Sequence, residues 1–383
     1  MGGVQFSSFY FIQELQKYPD IDTQLFLPRH GQFSRLCENH LIPFTIYNSR
    51  PMHSTSISIF HDSIRIPNPF TWIYNIIYIY YNSKSVRNIL KHHQNAVILS
   101  KGLYSHFVTT IANRKLSNKL IWHLQDLISS RYGGILLKLI NHLAKIGPNY
   151  IICDGNSIFE SLNNYNKAKA KIIINGIKKD FFQRSNKQRK SGRKEFSIPK
   201  NAYVIGHVGR FTPWKGQLEL VEAFIDYSKQ NSQAILFLVG APIFDSDSYL
   251  NKIKIKISNY GLNDKIILAG FQSDLNKMYS MMDLFIYPAL EKDTSPLSLL
   301  GALSCGLPVT ISSIESLEEI IEMFPEISLF NPLNKIDIIN IFQMFEEEKV
   351  RIELSNSIKL DFKKHFDFKI HIQKMMEVIN TVK

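Results

Sequence analysis

The sequence predicts an α/β protein built from two successive doubly wound parallel-sheet domains. Short, uninterrupted apolar runs alternate with longer helical patterns along almost all of the 383 residues. Apolar strands separated by helices are typical of parallel sheets that helices cover on both faces. The length allows two domains that each bury a core, and a hydrophobic content of 45% is ordinary for a globular protein.

Short β-rich runs place the strands. In the first half the predicted strands are Thr23–Leu27, Ile42–Tyr47, Ala96–Ser100, Lys119–Gln125, Tyr150–Cys153 and Lys171–Ile174. In the second half they are Tyr203–Val208, Ala234–Val239, Lys265–Ala269, Leu284–Tyr287 and Pro308–Ile311. The helical patterns between them include Ile135–Lys145, Gly216–Lys229 and Ser248–Tyr260.

The two halves meet after Asn175-Gly176. The segment Arg184–Lys194 is polar, basic and without apolar period, which favours a solvated linker or loop. We therefore predict an N-terminal domain over residues 1–177, a linker over 178–200 and a C-terminal domain over 201–364. Residues 365–383 predict a final helix that could cross back onto the first domain.

Cysteine usage and the absence of targeting segments indicate a soluble, cytoplasmic protein. The three cysteines are far apart and odd in number, so they predict neither a disulfide framework nor a metal site. Met1-Gly2-Gly3 does not begin a signal peptide, and no apolar stretch reaches the roughly 18 residues that a spanning helix needs. The histidines lack neighbours at metal-ligand spacing, so no metal is expected.

The net charge of +12 is unevenly distributed. Residues 1–170 hold 17 Lys/Arg against 8 Asp/Glu, and the remainder holds 28 against 25. An electropositive first half could meet anionic lipid headgroups, a phosphorylated acceptor or nucleic acid, although generic solubility explains any single cluster equally well. The chain lacks an arginine-rich helix, a zinc knuckle or an aromatic nucleic-acid signature, which disfavours nucleic acid.

The segment Thr71–Tyr81 (TWIYNIIYIYY) is crowded with aromatic and aliphatic side chains. As an interfacial helix it would place Trp and Tyr at headgroup level, and as a core helix it would pack under the sheet. It has no clean polar face, so we expect it in the core. The flanking Lys84, Arg87 and Lys91 keep the membrane interpretation open.

A glycine loop directly after the strand Tyr203–Val208 is the strongest chemical signal. It comprises Gly209–Gly216 (GRFTPWKG) and leads into a helix. A strand that ends in such a loop presents backbone N–H groups and a positive helix end to an anion. Arg210 and Lys215 add two cations, which suits a diphosphate leaving group. Alone, the motif would indicate only two surface cations beside a turn.

A second element follows about 80 residues later, at Tyr287–Val309. Its loop Asp293-Thr294-Ser295-Pro296 supplies an acid, two hydroxyls and a proline suited to a first helical turn. The free amides at this helix start could hold the same diphosphate, and Asp293 could accept hydrogen bonds from sugar hydroxyls. Alone, Thr294 or Ser295 would indicate only a helix cap.

Together these elements resemble the family 4 glycosyltransferases, which are retaining enzymes with the GT-B fold. That family carries a G-R-x-x-x-x-K-G loop and a paired-acid segment that ends in A-x-x-x-G-x-P-V. The first is intact at Gly209–Gly216, and the end of the second matches Ala302–Val309. Looser matches are Gly2-Gly3-Val4, Trp122–Asp126, Asn175-Gly176, Val239-Gly240, Gly270-Phe271 and Met282–Pro288.

The resemblance implies two Rossmann-like domains that face each other across a cleft, and transfer of a hexose from a nucleotide diphosphate sugar with retention. It implies no metal and no cofactor besides this co-substrate. Arg210 and Lys215 would neutralise the diphosphate, Asp293 would orient the donor sugar, and His123 and Asp126 would line the acceptor side. The implied donor-binding positions are Gly209, Thr294, Ser295, Pro296, Leu297, Phe271 and Gly3.

Three departures from the family pattern bear on activity. The family's two glutamates align with Asp293 and with Gly301, and Gly301 lacks the carboxylate that the resemblance assigns to the nucleotide ribose. The family's histidine aligns with Gln125, although His123 lies two residues earlier on the same strand face. The chain begins at the glycine loop, without the first strand; a late start codon, a trimmed chain or a degenerate copy would each explain this.

The sequence therefore predicts a glycosyltransferase of polysaccharide or glycolipid assembly. Its expected partners are a nucleotide sugar and a glycan or lipid-linked acceptor, with peripheral contact to the inner face of an anionic membrane. Gly301 and the absent strand favour an alternative, a catalytically weakened GT-B relative that binds a sugar nucleotide or acts as a scaffold. A basic nucleic-acid-binding protein is the third and least favoured hypothesis.

Overall fold

The computed structural model of the chain describes residues 3–53, 56–59, 64–125, 134–176, 182–242, 247–291 and 296–383. These residues form two compact units, each with its own parallel sheet. The first unit comprises the residues up to Asn175 together with Ile370–Lys383, and the second comprises Gly176–Lys369.

The first unit alternates helices with strands. Its elements up to residue 175 are α1 (Gly3–Leu15), β1 (Leu25–Leu27), α2 (Gln32–Asn39), β2 (Phe44–Ile46), β3 (Ser56–Ile59), β4 (Ile64–Pro67), α3 (Pro69–Leu90), β5 (Val97–Lys101), α4 (Leu103–Asn113), β6 (Lys119–Leu124), α5 (Ile135–Ile146), β7 (Tyr150–Cys153), α6 (Asn156–Glu160), α7 (Asn164–Lys167) and β8 (Ala170–Ile172). Strands β5, β6, β7 and β8 form a parallel sheet in that order, and β1 pairs in parallel with β2.

The predicted strands of this half are all present, within two residues of their expected ends. The antiparallel pair β3–β4 was not predicted, although its alternation of isoleucine with polar residues is typical of such a pair. The core of the four-stranded sheet is built around Trp122, which is fully buried between helices α4 and α5 and their neighbours.

The second unit contains the larger sheet. Its elements are α8 (Asn186–Glu195), β9 (Tyr203–Val208), a 3-10 turn (Pro213–Lys215), α9 (Gln217–Tyr227), β10 (Ala234–Val239), α10 (Asp247–Asn259), β11 (Ile266–Leu268), α11 (Leu275–Met281), β12 (Leu284–Tyr287), α12 (Leu297–Ser304), β13 (Val309–Ser312), a 3-10 turn (Glu315–Leu317), α13 (Glu318–Met323), β14 (Ser328–Phe330), α14 (Lys335–Met344) and α15 (Glu348–His365). The six strands are parallel in the order β11-β10-β9-β12-β13-β14.

The central strands of this sheet explain why the sequence predicts a doubly wound domain. Every residue of β9, β10, β12 and β13 is buried, as expected for strands that helices cover on both faces. The predicted α/β class with parallel sheets is therefore confirmed. Among the described residues of this half, only β14 lacked a predicted counterpart.

The segment predicted as a linker over residues 178–200 differs in the structure. Ten of its residues form α8, which packs on α11. The side chain of Arg193 is only 5% exposed and donates to the carbonyl of Met281 at 2.8 Å, to that of Ala202 at 2.9 Å and to Asp283 at 2.8 Å. Asp283 also accepts from Arg189 at 2.6 Å. Two of the basic residues that suggested a solvated loop, the buried Arg193 and the partly exposed Arg189, are thus partners of a carboxylate.

The C-terminal helix α16 (Phe368–Val382) belongs from Ile370 onward to the first unit. The Nδ1–H of its buried His371 donates to the carbonyl of Ile174 at 2.9 Å. Lys171 and Glu377 form an exposed ion pair at 3.0 Å. These contacts attach the end of the chain beside β8.

The segment Thr71–Tyr81 does not pack in the core as expected. It lies in α3, where Ile73, Ile76 and Tyr80 are each more than half exposed. One inward position is taken by Asn75, which binds the backbone of His53, while Ile79 packs against the apolar cluster of Val86, Leu90 and Val108. Within the residues that the structure describes, no helix is both long and apolar enough to cross a bilayer.

Removing the carboxylate of Asp283 should destabilise the second unit strongly. Asp283→Ala leaves the buried guanidinium of Arg193 without its counter-charge, which costs about 3–5 kcal/mol of unfolding free energy. Urea denaturation of the full chain measures this loss. The matched control is Asp226→Ala, whose partners Lys229 and Lys335 are exposed, and it should cost far less. Equal losses in the two variants would contradict the assigned role of Asp283.

Candidate functional site

The glycine loop lies at the carboxyl edge of the six-stranded sheet, where neighbouring strands end together. The Gly209 N–H donates to the carbonyl of Val239 at 2.9 Å, and the Gly240 N–H donates to that of Gly270 at 2.9 Å. The loops after β9, β10 and β11 are therefore tied side by side. In open parallel sheets, ligands bind at this edge.

Glycine is required at two positions because backbones approach closely there. A Cβ on Gly240, whose φ is +145°, would lie 1.9 Å from the carbonyl oxygen of Gly209. A Cβ on Gly216, whose φ is +72°, would lie 1.9 Å from the carbonyl oxygen of Pro288. The second approach joins the glycine loop to the segment after β12, as does a 2.9 Å bond from the Leu290 N–H to the Trp214 carbonyl.

The two predicted cations flank one indole ring. The Lys215 ammonium lies 4.5 Å from the Trp214 ring centroid and 4.7 Å from that of Tyr287, and it donates to the Tyr287 hydroxyl. The Arg210 guanidinium lies 5.6 Å from the Trp214 centroid. Lys215 is only 7% exposed, whereas Arg210 is exposed. The rings hold Lys215 in place and leave Arg210 facing solvent at the same loop.

His207 supports this loop from within the sheet. Its Nδ1–H donates to the carbonyl of Ile286 at 3.0 Å, and burial lowers the pKa of the ring to about 3. The nearby positive charge of Lys215 lowers that pKa further. His207 is therefore neutral, so Lys215 and Arg210 carry the positive charge of the loop.

The second predicted element is described only in part. Leu297 begins α12, and Pro296 precedes it in extended conformation with its side chain buried. The donor-side predictions Asp293, Thr294 and Ser295 lie outside the described residues, as does Asp126 on the acceptor side. Phe271 follows Gly270 at the same sheet edge and is 56% exposed.

Gly301, the residue at the second family glutamate, is packed against aromatic side chains. It is buried in α12, and a Cβ there would lie 2.8 Å from the Tyr279 hydroxyl and 3.2 Å from the Phe182 ring. The Tyr279 hydroxyl itself donates to the Ser298 carbonyl at 2.9 Å. The space beside this position is filled, so a larger residue would require these rings to move.

In the first unit, His123 lies in the protein interior. Its ring is fully buried, and its Nε2–H donates to Asp154 at 2.5 Å. Asp154 also accepts from Gln125 at 2.9 Å and from Asn175 at 2.7 Å. His123 therefore orients a buried carboxylate rather than presenting its ring to solvent. Gly3, also predicted to line the site, is the first residue of α1.

The sequence analysis did not single out Asp154, around which this network is built. An acid that directly follows a buried strand and precedes a glycine was the available signal, since such residues gather at the carboxyl edge of a parallel sheet. Lys101, at the end of β5, lies at the same edge and donates to Ser7 of α1 at 3.5 Å. The network thus joins strand ends to the first helix.

Burial controls ionisation in this network. It lowers the pKa of His123 and lowers that of Lys101 to about 8, which the charge of Asp154 partly offsets. Burial alone would raise the pKa of Asp154. The pKa is nevertheless below its usual range, because His123 contributes a charge and a hydrogen bond, Gln125 a hydrogen bond and Lys101 a charge. A neutral His123 thus donates to an ionised Asp154.

Comparison with known proteins finds a family model that matches the second unit. Residues 188–359 match the family model described as glycosyl transferases group 1. This match covers less than half of the chain and lies wholly within the second unit, so the family likeness is that of this unit. No group of three or more His, Cys, Asp or Glu that could hold a metal occurs among the residues described.

Two relatives and one solved structure are similar to this chain. The UDP-Gal:alpha-D-GlcNAc-diphosphoundecaprenol alpha-1,3-galactosyltransferase of Escherichia coli is 26% identical over 149 residues, which are 38% of this chain and 37% of the relative. An uncharacterized glycosyltransferase of Methanocaldococcus jannaschii is 24% identical over 295 residues, 72% of this chain and 69% of the relative.

The structure of Anabaena HepE in complex with UDP and glucose superposes with a TM-score of 0.82 at 19% identity. The match covers 99% of this chain and 96% of that one. At this identity it shows the shared fold, and it confirms the predicted GT-B class.

Acid should destabilise the protein through its buried histidines. Burial lowers the pKa of His106, His207 and His371 to about 3, 3 and 4, whereas in the unfolded chain they bind protons near pH 6.5. Their contribution is complete above about pH 6.5 and is lost as the pH falls, by about 1.4 kcal/mol per pH unit and histidine.

Urea denaturation at a series of pH values between neutrality and mild acid measures this slope. His106→Asn should reduce the slope by one histidine's share, and the matched control His142→Gln, an exposed position, should leave it unchanged. A wild-type stability that is flat across this range would contradict the interpretation.

Gly301→Glu should destabilise the second unit without improving nucleotide binding. Overpacking against Tyr279 and Phe182 costs about 1–3 kcal/mol, which urea denaturation measures. Ser298→Glu, a partly exposed position of the same helix, is the control and should cost less. In a double-mutant cycle, Tyr279→Phe should recover part of the cost of Gly301→Ala by removing the nearest atom. A Gly301→Glu variant of unchanged stability and tighter nucleotide binding would show that the position is open.

Proposed function

We propose that the protein is a retaining hexosyltransferase that uses a nucleotide diphosphate sugar, with uridine as the base. The observation that carries the proposal is the pair of cations, Arg210 and Lys215, at a glycine loop on the carboxyl edge of the second sheet. The named donor of the Escherichia coli relative is a UDP sugar, and Anabaena HepE was solved with UDP. These names support uridine for this chain.

The cations would act on the leaving group. In the transfer, the bond between the sugar's anomeric carbon and the diphosphate breaks, and the diphosphate departs with the electron pair. The acceptor oxygen bonds to the anomeric carbon and loses its proton. Arg210 and Lys215 would stabilise the growing negative charge, together with the N-terminus of α9. Because its ammonium is held between two rings, Lys215 needs little reorganisation for this task.

We propose the following roles for the remaining predicted residues. Asp293 would orient the sugar hydroxyls, and the amides of residues 294–297 would hold the diphosphate with Gly209 and Phe271 nearby. On the acceptor side, we propose that His123 positions Asp154 and that Asp126 contacts the acceptor. Gly3, at the start of α1, would lie close to the phosphates.

The acceptor that we propose is a glycan or a lipid-linked sugar. The Escherichia coli relative is named for a diphosphoundecaprenol-linked acceptor, and a Salmonella typhimurium relative, 25% identical over 199 residues, is named as a lipopolysaccharide 1,2-N-acetylglucosaminetransferase. The electropositive first half suits an acceptor that carries phosphate. A lipid-linked acceptor would place the reaction at the inner face of a membrane.

A second candidate, a sugar-nucleotide-binding relative without turnover, is favoured by one observation. The position of the second family glutamate is a glycine packed against Tyr279 and Phe182, so no carboxylate is available there. Binding and turnover therefore need separate measurements. A thermal-shift screen against UDP, GDP, ADP and their sugar conjugates reports binding through the rise in melting temperature.

Arg210→Ala and Lys215→Ala should each lower donor turnover by roughly 100- to 1,000-fold, because each removes a charge that stabilises the leaving diphosphate. Release of UDP from the UDP sugars that shift the melting temperature measures turnover. Lys252→Ala, an exposed position on α10, is the matched control and should keep full turnover. Unchanged turnover in both site variants would overturn the proposal. A selective thermal shift with UDP but no turnover in the wild type would support the binding relative instead.

A further inference from the structure

Helix α3 exposes an apolar face that nothing in the transfer reaction uses. Six of its large apolar side chains are more than half exposed to solvent. They are Phe70, Ile73, Tyr74, Ile76, Ile77 and Tyr80. A helix of a water-soluble domain normally turns such residues inward, so this face is suited to an apolar environment.

The inward side of the same helix carries two buried asparagines as well as Val86 and Leu90, and these contacts fix its orientation. The amide of Asn75 exchanges two hydrogen bonds of 2.9 Å with the backbone of His53. Seven residues later on the same face, Asn82 accepts from the Arg50 N–H at 2.7 Å and donates to the Arg50 carbonyl at 2.9 Å. Both asparagines are buried. Because these bonds hold the helix, its apolar residues cannot turn inward without leaving buried amides unpaired.

The stretch of sequence that contains this helix is basic. Residues 63–125 contain eight Lys/Arg and no Asp or Glu. The outward row of α3 continues from its apolar part into Lys84, and Lys91 caps the helix end. The Lys84 ammonium lies 4.9 Å from the Tyr80 ring centroid, and the Arg50 guanidinium lies 5.4 Å from that of Tyr81. Cations thus border the apolar residues on the same surface.

We propose that this face, the apolar residues of α3 from Phe70 to Tyr81 with Lys84, Arg87 and Lys91, docks on an anionic phospholipid surface. Tyrosine and tryptophan favour the depth of lipid headgroups, isoleucine and phenylalanine enter the acyl boundary, and lysine and arginine bind the anionic phosphates. A second copy of the chain is a poorer occupant, since a symmetric contact would oppose the same cations. The inference is independent of the donor chemistry.

Vesicle flotation with the full chain tests the docking face. The wild type should float with vesicles of phosphatidylcholine and phosphatidylglycerol, and much less with phosphatidylcholine alone. Ile77→Glu should weaken binding at least about tenfold, because a charge replaces a side chain that enters the acyl boundary. Lys84→Gln and Arg87→Gln should each weaken it about fivefold, and added salt should act in the same direction.

The matched control is Ile255→Glu on α10 of the second unit, since Ile255 is 60% exposed and Ile77 is 53% exposed. This variant should bind vesicles as the wild type does, and Ile77→Glu, Lys84→Gln and Ile255→Glu should keep the wild-type melting temperature because each changed side chain is exposed. Absence of wild-type binding to the anionic vesicles, or binding that Ile77→Glu leaves unchanged, overturns the proposal. Equal binding to both vesicle types overturns the anionic assignment. A dimer in analytical ultracentrifugation that Ile77→Glu converts to a monomer, without vesicle binding, assigns the face to a second copy and also overturns it.

Discussion

The close approach of backbones at the carboxyl edge of the six-stranded sheet is the constraint on which the second unit depends. Gly240 lets the loop after β10 meet the loop after β9, and Gly216 lets the glycine loop meet the carbonyl of Pro288. A side chain at either position would meet a carbonyl oxygen. With the backbones this close, the rings of Trp214 and Tyr287 contact the Lys215 ammonium and hold this cation at the glycine loop.

Buried charges are the second organising feature, and each unit matches them in its own way. In the second unit, Arg193 and Asp283 lie 90 residues apart in sequence and join α8 to the start of β12. In the first unit, Asp154 collects donors from β6 and from Asn175. A buried charge without a partner is costly because it has lost its water. These networks therefore hold their helices and strands together and also specify how those elements pack.

The strands could be predicted from sequence because buried parallel strands are continuous apolar runs, as at Tyr203–Val208 and Ala234–Val239. The glycine loop was found because its chemistry is local, with two cations and two glycines within eight residues. Helix α8 was missed for the opposite reason. Its residues are stabilised by Met281 and Asp283, which are distant in sequence, so the local pattern suggests only a polar loop.

The sequence by itself determined the α/β class, the order of the strands along the chain and the loop that carries Arg210 and Lys215, because these depend on local periodicity and on contiguous residues. Tertiary structure alone decided that His123 is buried against Asp154, that aromatic rings crowd Gly301, and that α3 turns its apolar face outward. Each of these depends on which distant residue occupies the neighbouring space. For α3, the neighbours include the backbone groups of Arg50 and His53, which hydrogen-bond to two asparagines on the inward side of the helix.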